Sequence, residues 1–291
     1  MSTSTAAGAG ASTTEPTPEP RVMRRRRILT QAAAVVLGAG AATGVGVARE
    51  AMAANRPLPF YGGYAATIKP DRKTPPQSPN VNVTWSVATT KKLIALTFDD
   101  GPHPKWTPQV LSILDQTRTS ATFFMTGVNA RDYGKLVAGR LGRHEVGNHT
   151  WKHVDLARQT FEESYDAIGR AHWQLTELWG REPTLLRPPY GHIAGSSLLA
   201  ANEFGYQIVL WNRQMIESEY RSNPQGLVDY VVGACTPGTI LLAHDTGPQD
   251  RLVAISGLAQ MIRGLRGRGF EFVTVSELLA EQDAEDSHRL G

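Results

Sequence analysis

From Lys91 onward, short runs of apolar and β-branched residues alternate with longer segments that have helical periodicity. The seven apolar runs read KLIALTF, SATFFMT, HEVGNHT, TLLRPP, QIVLWN, GTILLAH and FEFVTV. One long segment between them places six apolar residues on one face of a helix: Phe161, Tyr165, Ile168, Leu175, Leu178 and Trp179. Strands that alternate with helices predict βα units and a parallel sheet.

The length of this repeating region limits the fold further. It runs from Lys91 to about residue 280, and the usual barrel of eight βα units needs about 250 residues. The sequence therefore predicts an α/β fold, a distorted (β/α) barrel with about seven parallel strands. Residues 91–280 are expected to form this domain, and residues 281–291 a C-terminal tail.

Polar and aromatic side chains stand where the apolar runs end. They are Asp99 and Asp100 at the first run, His149 at the third, Arg187 and Tyr190 at the fourth, Trp211 and Asn212 at the fifth, and His244 and Asp245 at the sixth. In folds of this kind the chemistry gathers where parallel strands end and loops begin. These residues are therefore expected to meet at one edge of the sheet.

Asp99 and Asp100 are adjacent carboxylates, an arrangement that is costly unless a positive charge lies beside them. His149 and His153 have a spacing that puts two imidazoles on one side of a helical turn, about 5–6 Å apart at Cβ. Two histidines and one carboxylate suit a divalent metal with open coordination positions. Successive side chains of a strand diverge, so one aspartate can bind the metal while the other stays beside it. An Asp-Gly-Pro turn with solvated carboxylates is the alternative.

Four motifs carry a resemblance to a known family. TFDDGPH, HEVGNHTWKHVDL, RPPYG and TILLAHD, in this order, resemble the polysaccharide deacetylases of carbohydrate esterase family four, the NodB-like domain. The resemblance extends from about Lys91 to Leu279. It implies a distorted seven-stranded barrel and a metal-dependent hydrolysis of N- or O-acetyl groups on sugars.

The resemblance also implies roles for individual residues. Asp100, His149 and His153 would hold a divalent metal, with Zn²⁺ as the first choice. Asp99 would be the general base that takes a proton from the metal-bound water. Arg187 would pair with Asp99 and orient it, and a surface ion pair is the alternative role for this arginine.

Further residues are assigned by the same resemblance to the substrate side. The backbone N–H of Tyr190 would help to bind the developing oxyanion, and Trp211 would line the site. His244 would be the general acid that protonates the leaving amine or alcohol. Leu242 lies on the same side of a strand as His244, where it would line a pocket for the acetyl methyl group or be an ordinary core residue.

One position departs from the pattern of the family. The family usually has an aspartate three residues after the tryptophan at the fifth strand end, where it supports the catalytic histidine. Here that position is Gln214. An amide can orient the imidazole of His244 by a hydrogen bond, but it cannot stabilise an imidazolium by charge. Glu217 and Asp245 are the candidates to replace the missing carboxylate.

The first 53 residues have the features of an export signal. Residues 1–20 have no periodicity and a composition typical of disorder. A basic cluster, an apolar run and a small-x-small triplet ending at Ala53 follow them. Arg25 and Arg26 resemble a twin-arginine signal, which exports proteins that have already folded. We therefore expect cleavage after Ala53 and a secreted or wall-associated protein.

Two expectations concern the rest of the N-terminal region. Residues 54–90 are rich in Pro, Asn, Thr and Gly, which indicates a linker or an extended wrap with a hint of a strand at Val81–Val87. The signal segment is expected to associate with the membrane only transiently. An uncleaved membrane anchor over Ile28–Ala48 is the alternative.

Charge and cysteine content narrow the range of partners. The net charge is +3, with much of the positive excess in the first 27 residues, so we expect no nucleic-acid partner. The single cysteine, Cys235, excludes an intramolecular disulfide and is expected to be buried.

We expect a monomer that acts on an acetylated polysaccharide or oligosaccharide, with peptidoglycan or chitin-like oligomers ahead of acetylxylan. An amidase for a non-sugar amide and a wall-binding protein with a degenerate site are the alternatives.

Overall fold

Nine strands form a parallel sheet in a computed structural model that describes residues 80–249 and 251–290. The strands are β1 (Val83–Thr84), β2 (Leu93–Asp99), β3 (Thr122–Met125), β4 (Glu145–Asn148), β5 (Leu185–Leu186), β6 (Gln207–Val209), β7 (Arg213–Gln214), β8 (Thr239–His244) and β9 (Glu271–Val273). Their order is β1-β6-β5-β4-β3-β2-β8-β7, and β9 pairs with β2. Each of the seven predicted runs contributes a strand, so the predicted α/β fold is confirmed, with β1 and β7 as short additions.

Helices connect or follow these strands. The α-helices of the described residues are α1 (Thr107–Thr117), α2 (Gly127–Tyr133), α3 (Phe161–Trp179), α4 (Gly195–Glu203), α5 (Pro224–Ala234), α6 (Arg251–Gly267) and α7 (Val275–Leu290). Short 3₁₀ turns are formed by Gly134–Leu136, Leu156–Arg158, Pro189–Gly191 and Glu217–Glu219.

The strands β2 and β8 separate two apolar layers. On β2 the even-numbered residues of 94–98 pack with α1 and α6, whereas Leu93 and Ala95 face a second cluster lined by other strands and by α7. Because side chains alternate along a strand, Asp99 falls on the side of this second cluster. His244, at the end of β8, is the Cα partner of Asp99. The two side chains therefore project to the same side at the same end of the sheet.

The predicted amphipathic helix is α3. Its N-cap is Thr160, whose hydroxyl accepts a hydrogen bond from Glu163 N at 3.2 Å while the Glu163 carboxylate accepts one from Thr160 N at 2.9 Å. This capping box satisfies two backbone N–H groups that the first turn leaves unpaired. The helix ends at Trp179, and the C-cap residue Gly180 has a left-handed φ of 77°. Its buried face packs against α4 and β4.

The last helix, α7, includes residues that were expected to be a tail. Its start is fixed by a buried carboxylate: Glu145 accepts hydrogen bonds from Ser276 N at 3.2 Å and from Thr122 Oγ1 at 2.9 Å. Val275 N donates to the same Thr122 hydroxyl at 2.9 Å. Residues 281–290 continue this helix, so the structure differs from the predicted boundary at residue 280.

The described residues include only the end of the expected linker. Val83–Thr84 pairs with β6, and Ser86 forms a bridge with Thr239, so this stretch contacts both β6 and β8. The export signal, its cleavage site and the linker up to residue 79 lie outside the described residues. None of the helices that the structure describes is long and apolar enough to cross a membrane. Cys235 is buried, as expected, and burial raises the pKa of its thiol to about 11.

One buried histidine makes the stability of this fold sensitive to acid. His144 immediately precedes β4, at the end of the sheet opposite the polar strand ends. It is 1% exposed, and its ring packs edge-on against Phe123 with centroids 5.4 Å apart. Burial disfavours the imidazolium and lowers the pKa of His144 to about 4, although the charge of Asp115 opposes this shift and those of Arg143 and Arg140 add to it.

Acidification should therefore destabilise the protein through His144. Between the usual histidine pKa of 6.5 and the folded-state pKa of about 4, the unfolded chain binds a proton that the folded chain does not. The free energy of unfolding should fall across this window by up to about 3 kcal/mol. Denaturant unfolding at pH 7.5 and pH 4.5 should show a smaller loss for His144→Phe than for the wild type. An equal loss in both proteins would mean that other groups cause the acid sensitivity.

Candidate active site

The loop after β4 contains both predicted metal-binding histidines, but it is not the helical turn that their spacing suggested. Thr150 and His153 have left-handed φ values of 66° and 55°, so the chain folds back on itself between the two histidines. The imidazole rings of His149 and His153 nevertheless lie side by side, with centroids 5.0 Å apart. The predicted helical geometry was wrong, and a tight irregular loop brings the rings together instead.

A buried polar network holds this loop. Asn148, the last residue of β4, accepts a hydrogen bond from Thr150 N at 2.8 Å and donates to Ile168 O at 2.9 Å. Its amide also lies 2.9 Å from the hydroxyl of Tyr206, which is 2.8 Å from Nδ1 of His172. Sequence reasoning missed Asn148. The available signal was an amide at the end of a buried strand, directly before a candidate ligand.

The two aspartates at the end of β2 point in different directions. Asp99 continues the strand, whereas Asp100 has a left-handed φ of 76° that turns its carboxylate towards the histidine loop. Oδ1 of Asp100 lies 3.3 Å from Nε2 of His149 and 3.2 Å from Nε2 of His153. Nδ1 of His149 is 2.6 Å from the carbonyl oxygen of Arg187, to which it can only donate. In the neutral ring, Nε2 then carries the lone pair that can bind a metal, and this atom faces Asp100.

These three side chains fit a divalent cation. One ligand atom from each of Asp100, His149 and His153 lies within 4.8 Å of the other two. Oδ1 of Asp100 is buried and accepts no hydrogen bond from the described residues, so it is an anionic oxygen in need of a positive partner. Two imidazole nitrogens and one carboxylate oxygen are a ligand set that Zn²⁺ accepts in catalytic sites.

The pKa shifts in the cluster follow from burial and from the short distances between its charged groups. Burial would raise the pKa of Asp100, but the nearby His149, His244 and His153 lower it to about 2. At His149 burial would lower the pKa, but the charges of Asp99 and Asp100 outweigh burial and raise it. Burial dominates at His153 and lowers its pKa. Asp100 is therefore ionised at any neutral pH, as a metal ligand must be.

Arg187 is fully buried and pairs with Asp99. Its Nη1 donates to Asp99 Oδ1 and to Thr97 Oγ1, both at 2.7 Å. Its remaining donors reach the carbonyl oxygens of Val209 at 3.1 Å and Leu210 at 3.0 Å. The alternative reading of Arg187 as a surface ion pair was wrong, since this residue is 0% exposed. The pairing fixes one oxygen of Asp99 and leaves Oδ2 on the side of the histidines, 3.8 Å from His149 Nε2.

The residues predicted on the substrate side lie around this cluster. Tyr190 has a left-handed φ of 61° in a 3₁₀ turn, and its ring meets His153 edge-on at 4.7 Å and is 60% exposed. A side chain at Gly191 would come within 3.2 Å of the Trp211 ring, so Trp211 packs beneath the same turn. Leu242 is buried on β8, two residues before His244. The functions assigned to these residues stay predictions.

Of the two candidate carboxylates, Glu217 is the one that faces His244. Nδ1 of His244 lies 4.0 Å from Oε1 of Glu217, and both atoms are buried without a hydrogen-bond partner among the described residues. The other oxygen of Glu217 accepts a hydrogen bond from Arg251 Nη1 at 2.9 Å. Asp245 instead accepts from Thr107 Oγ1 at 2.5 Å, and burial raises its pKa to about 7.

Comparison with known proteins defines the family. The model of the family described as polysaccharide deacetylase matches residues 86–209. A peptidoglycan-N-acetylglucosamine deacetylase of Bacillus cereus is 41% identical over 206 residues, which cover 69% of this chain and 94% of that protein. A chitin deacetylase of Pestalotiopsis sp is 29% identical over 226 residues, 76% of this chain and 74% of that protein.

A solved structure agrees with these relatives. The peptidoglycan deacetylase PdaC from Bacillus subtilis matches with a TM-score of 0.61 at 32% identity, covering 69% of this chain and 96% of that chain. The chain therefore belongs to the polysaccharide deacetylase family. The predicted family is confirmed, and so is the predicted enzyme class, a hydrolase acting on carbon–nitrogen bonds.

Metal stoichiometry tests the proposed ligands. His149→Ala and His153→Ala should each bring bound zinc well below one ion per chain, because each variant removes one of three donor atoms. His192→Ala is the matched control, since this exposed imidazole lies beside Tyr190 and outside the cluster. Elemental analysis after dialysis against zinc-containing buffer measures the occupancy. Full occupancy in both cluster variants would contradict the assignment.

Proposed function

We propose that the protein hydrolyses the N-acetyl groups of an acetylated hexosamine glycan, with peptidoglycan and chitin-like oligomers ahead of acetylxylan. The observation that carries this proposal is the division of labour between two adjacent aspartates. Asp100 faces two histidines and offers the third ligand atom. Asp99 is held beside them by a buried arginine. The names of the relatives support an N-acetylated substrate: peptidoglycan N-acetylglucosamine in one and chitin in another.

Asp100, His149 and His153 would hold the cation, with Zn²⁺ as the first candidate. Bound there, a divalent metal supplies Lewis acidity that polarises the acetyl carbonyl and stabilises the charge that develops on its oxygen. Two histidines and one carboxylate leave coordination positions open, as such a role requires.

The base and the acid come from neighbouring strands. Oδ2 of Asp99 would take the proton of the attacking water, since Oδ1 is occupied by Arg187. His244 would give a proton to the amine nitrogen as the carbon–nitrogen bond breaks. The pairing of Asp99 with His244 across β2 and β8 puts these two groups on one side of the sheet. The backbone N–H of Tyr190 would donate a hydrogen bond to the oxyanion.

Glu217 would supply the carboxylate beside His244 that Gln214 cannot provide. It faces Nδ1 of His244, so it would orient the ring and leave Nε2 for the proton transfer. Arg251 fixes the other oxygen of Glu217. The alternative of a wall-binding protein with a degenerate site depended on the missing aspartate, and this arrangement weakens it. The alternative of a non-sugar amidase has no such support among the named relatives.

Acetate release separates the three functions. The purified protein should release acetate from N-acetylated glycans, and a chelator should abolish this activity. Asp99→Asn should keep its metal and lose about 10²–10⁴-fold in rate, the share that general-base assistance contributes. Release from simple amides but not from glycans would favour the amidase, and no release from either would favour a binding protein. Loss of metal in Asp99→Asn would mean that the roles of the two aspartates are reversed.

The role of Glu217 is tested by the choice of leaving group. Glu217→Gln should lower kcat on an N-acetylated glycan by about 10–100-fold, because expulsion of an amine needs the proton from His244. The same variant should retain its rate on 4-nitrophenyl acetate, whose leaving group needs no proton. Glu219→Gln is the matched control, because Glu219 is an exposed neighbour in the same turn. An equal loss on both substrates would indicate a structural role only.

We further propose that the protein acts outside the cytoplasm after export through a twin-arginine route. The support is Arg25-Arg26 ahead of an apolar run, together with a site whose ligands come from strand ends far apart in sequence. Such a site exists only in a folded chain, so export after folding would allow the metal to be acquired first. Replacing both arginines with lysine should leave the uncleaved precursor inside the cell. Immunoblotting measures the secretion. Normal secretion of this variant would indicate the export route for unfolded chains.

A further inference from the structure

Five aromatic rings form a chain of contacts along α3 and the end of α4. Phe161 and Tyr165 lie one turn apart with ring centroids 5.9 Å apart, and Tyr165 meets Phe204 at 4.8 Å. Phe204 contacts His172 at 5.4 Å, and His172 meets Trp173 edge-on at 4.8 Å. These five residues are called the aromatic row below. Only His172 takes part in the site described above, as the last member of the hydrogen-bond network behind the histidine loop, and the other four lie outside the site.

A glycine makes the row continuous. Phe161, Tyr165 and Trp173 follow a four-residue repeat along the helix, and the repeat position between the last two is Gly169. A side chain there would come within 2.8 Å of the Phe204 ring. Phe204, at the end of α4, therefore fills the place that the helix leaves open. From Phe161 to Trp173 the row extends about 18 Å along the helix axis.

The row combines exposure with rigidity. Trp173 is 62% exposed and Tyr165 is 45% exposed, although large aromatic residues usually bury most of their surface. His172 is 4% exposed and is fixed from below by the hydroxyl of Tyr206, 2.8 Å from its Nδ1. Such rings lose little conformational entropy when a ligand stacks on them. Two exposed aromatic side chains that are backed by buried or half-buried rings are typical of a binding surface.

The charges beside the row restrict its partner. Glu162, Asp166 and Glu177 are exposed on the same helix. The only exposed cation of α3 is Arg170, which lies 3.6 Å from Asp166 and stacks on the Trp151 ring at 4.4 Å. The surface is therefore acidic, which disfavours nucleic acids, anionic lipids and other polyanions. It suits a neutral ligand with flat apolar faces, or one that carries amino groups.

We propose that the aromatic row binds a strand of an N-acetylhexosamine glycan, apart from the catalytic cluster. A pyranose ring presents a face of C–H groups that stacks on the electron-rich face of an aromatic ring. Deacetylation creates amino groups, so a partly deacetylated strand also matches the acidic flank. The row begins eight residues after His153 in the chain. A second contact on the same polymer would raise the local concentration of acetyl groups at the site.

This inference rests on the proposed function for the identity of the glycan, and a binding experiment separates the two. Tyr165→Ala/Trp173→Ala would be compared with the control Trp85→Ala, which removes a tryptophan of similar exposure (55%) that lies beside β1. All variants would be made in the full mature chain with Asp99→Asn, so that the polymer is not altered during the measurement. Cosedimentation with insoluble chitin and with peptidoglycan sacculi measures binding.

The double variant should bind at least one of these polymers about tenfold more weakly, which is at the low end of the loss found when an aromatic side chain that stacks on a nucleobase is replaced by alanine. Trp85→Ala should bind as the parent does. With Asp99 intact, the double variant should keep its initial rate on a soluble chitooligosaccharide and its thermal midpoint, because the changed residues are exposed.

Three results would overturn the inference. The first is unchanged binding in the double variant, and the second is an equal loss in Trp85→Ala. The third is a change from dimer to monomer in the double variant without a loss of glycan binding, which would assign the row to a contact between copies. Binding through the row without any acetate release by the wild type would instead refute the proposed function and leave this surface standing.

Discussion

A buried ion pair between Arg187 and Asp99 holds together the edge of the sheet on which the site is built. The arginine starts from the end of β5 and reaches Thr97 and Asp99 on β2 as well as the carbonyl oxygens of Val209 and Leu210 after β6. Burying a guanidinium without such partners would cost several kcal/mol. All three nitrogen atoms of the Arg187 guanidinium donate hydrogen bonds. The position of Asp99 is therefore set by the barrel interior and not by a mobile surface loop.

This pairing also explains how two neighbouring carboxylates can share a strand end. The alternation of the strand directs Asp99 inward to the arginine, and the left-handed backbone at Asp100 directs the second carboxylate to the histidines. Each carboxylate then faces its own positive or donor group. The histidine loop depends in turn on Asn148, which holds the strained backbone at Thr150 from below. The chemistry therefore rests on a few buried polar contacts at the ends of β2, β4 and β5.

The sequence predicts the parts of this arrangement that follow from local patterns. Seven apolar runs and the polar residues at their ends are enough to place Asp99, His149 and His244 at one edge. The two-residue strands β1 and β7 are too short to show a period. Histidine is enriched among the few per cent of non-glycine residues with positive φ, but most histidines do not adopt it, so the sequence does not indicate the left-handed conformation of His153. The sequence proposes Glu217 and Asp245 as partners of His244 but cannot decide between them. The approach of Glu217 to His244 depends on Arg251, which is distant in sequence.

In the mechanism proposed above, one aspartate binds the metal and its neighbour does not. Anomalous diffraction at the zinc absorption edge, on crystals of the zinc-loaded protein, tests it most directly. We expect one anomalous peak about 2.0–2.2 Å from an oxygen of Asp100 and from Nε2 of His149 and His153, with Asp99 still paired to Arg187. A peak bonded to Asp99, or no peak at this cluster in crystals that contain zinc, would contradict it.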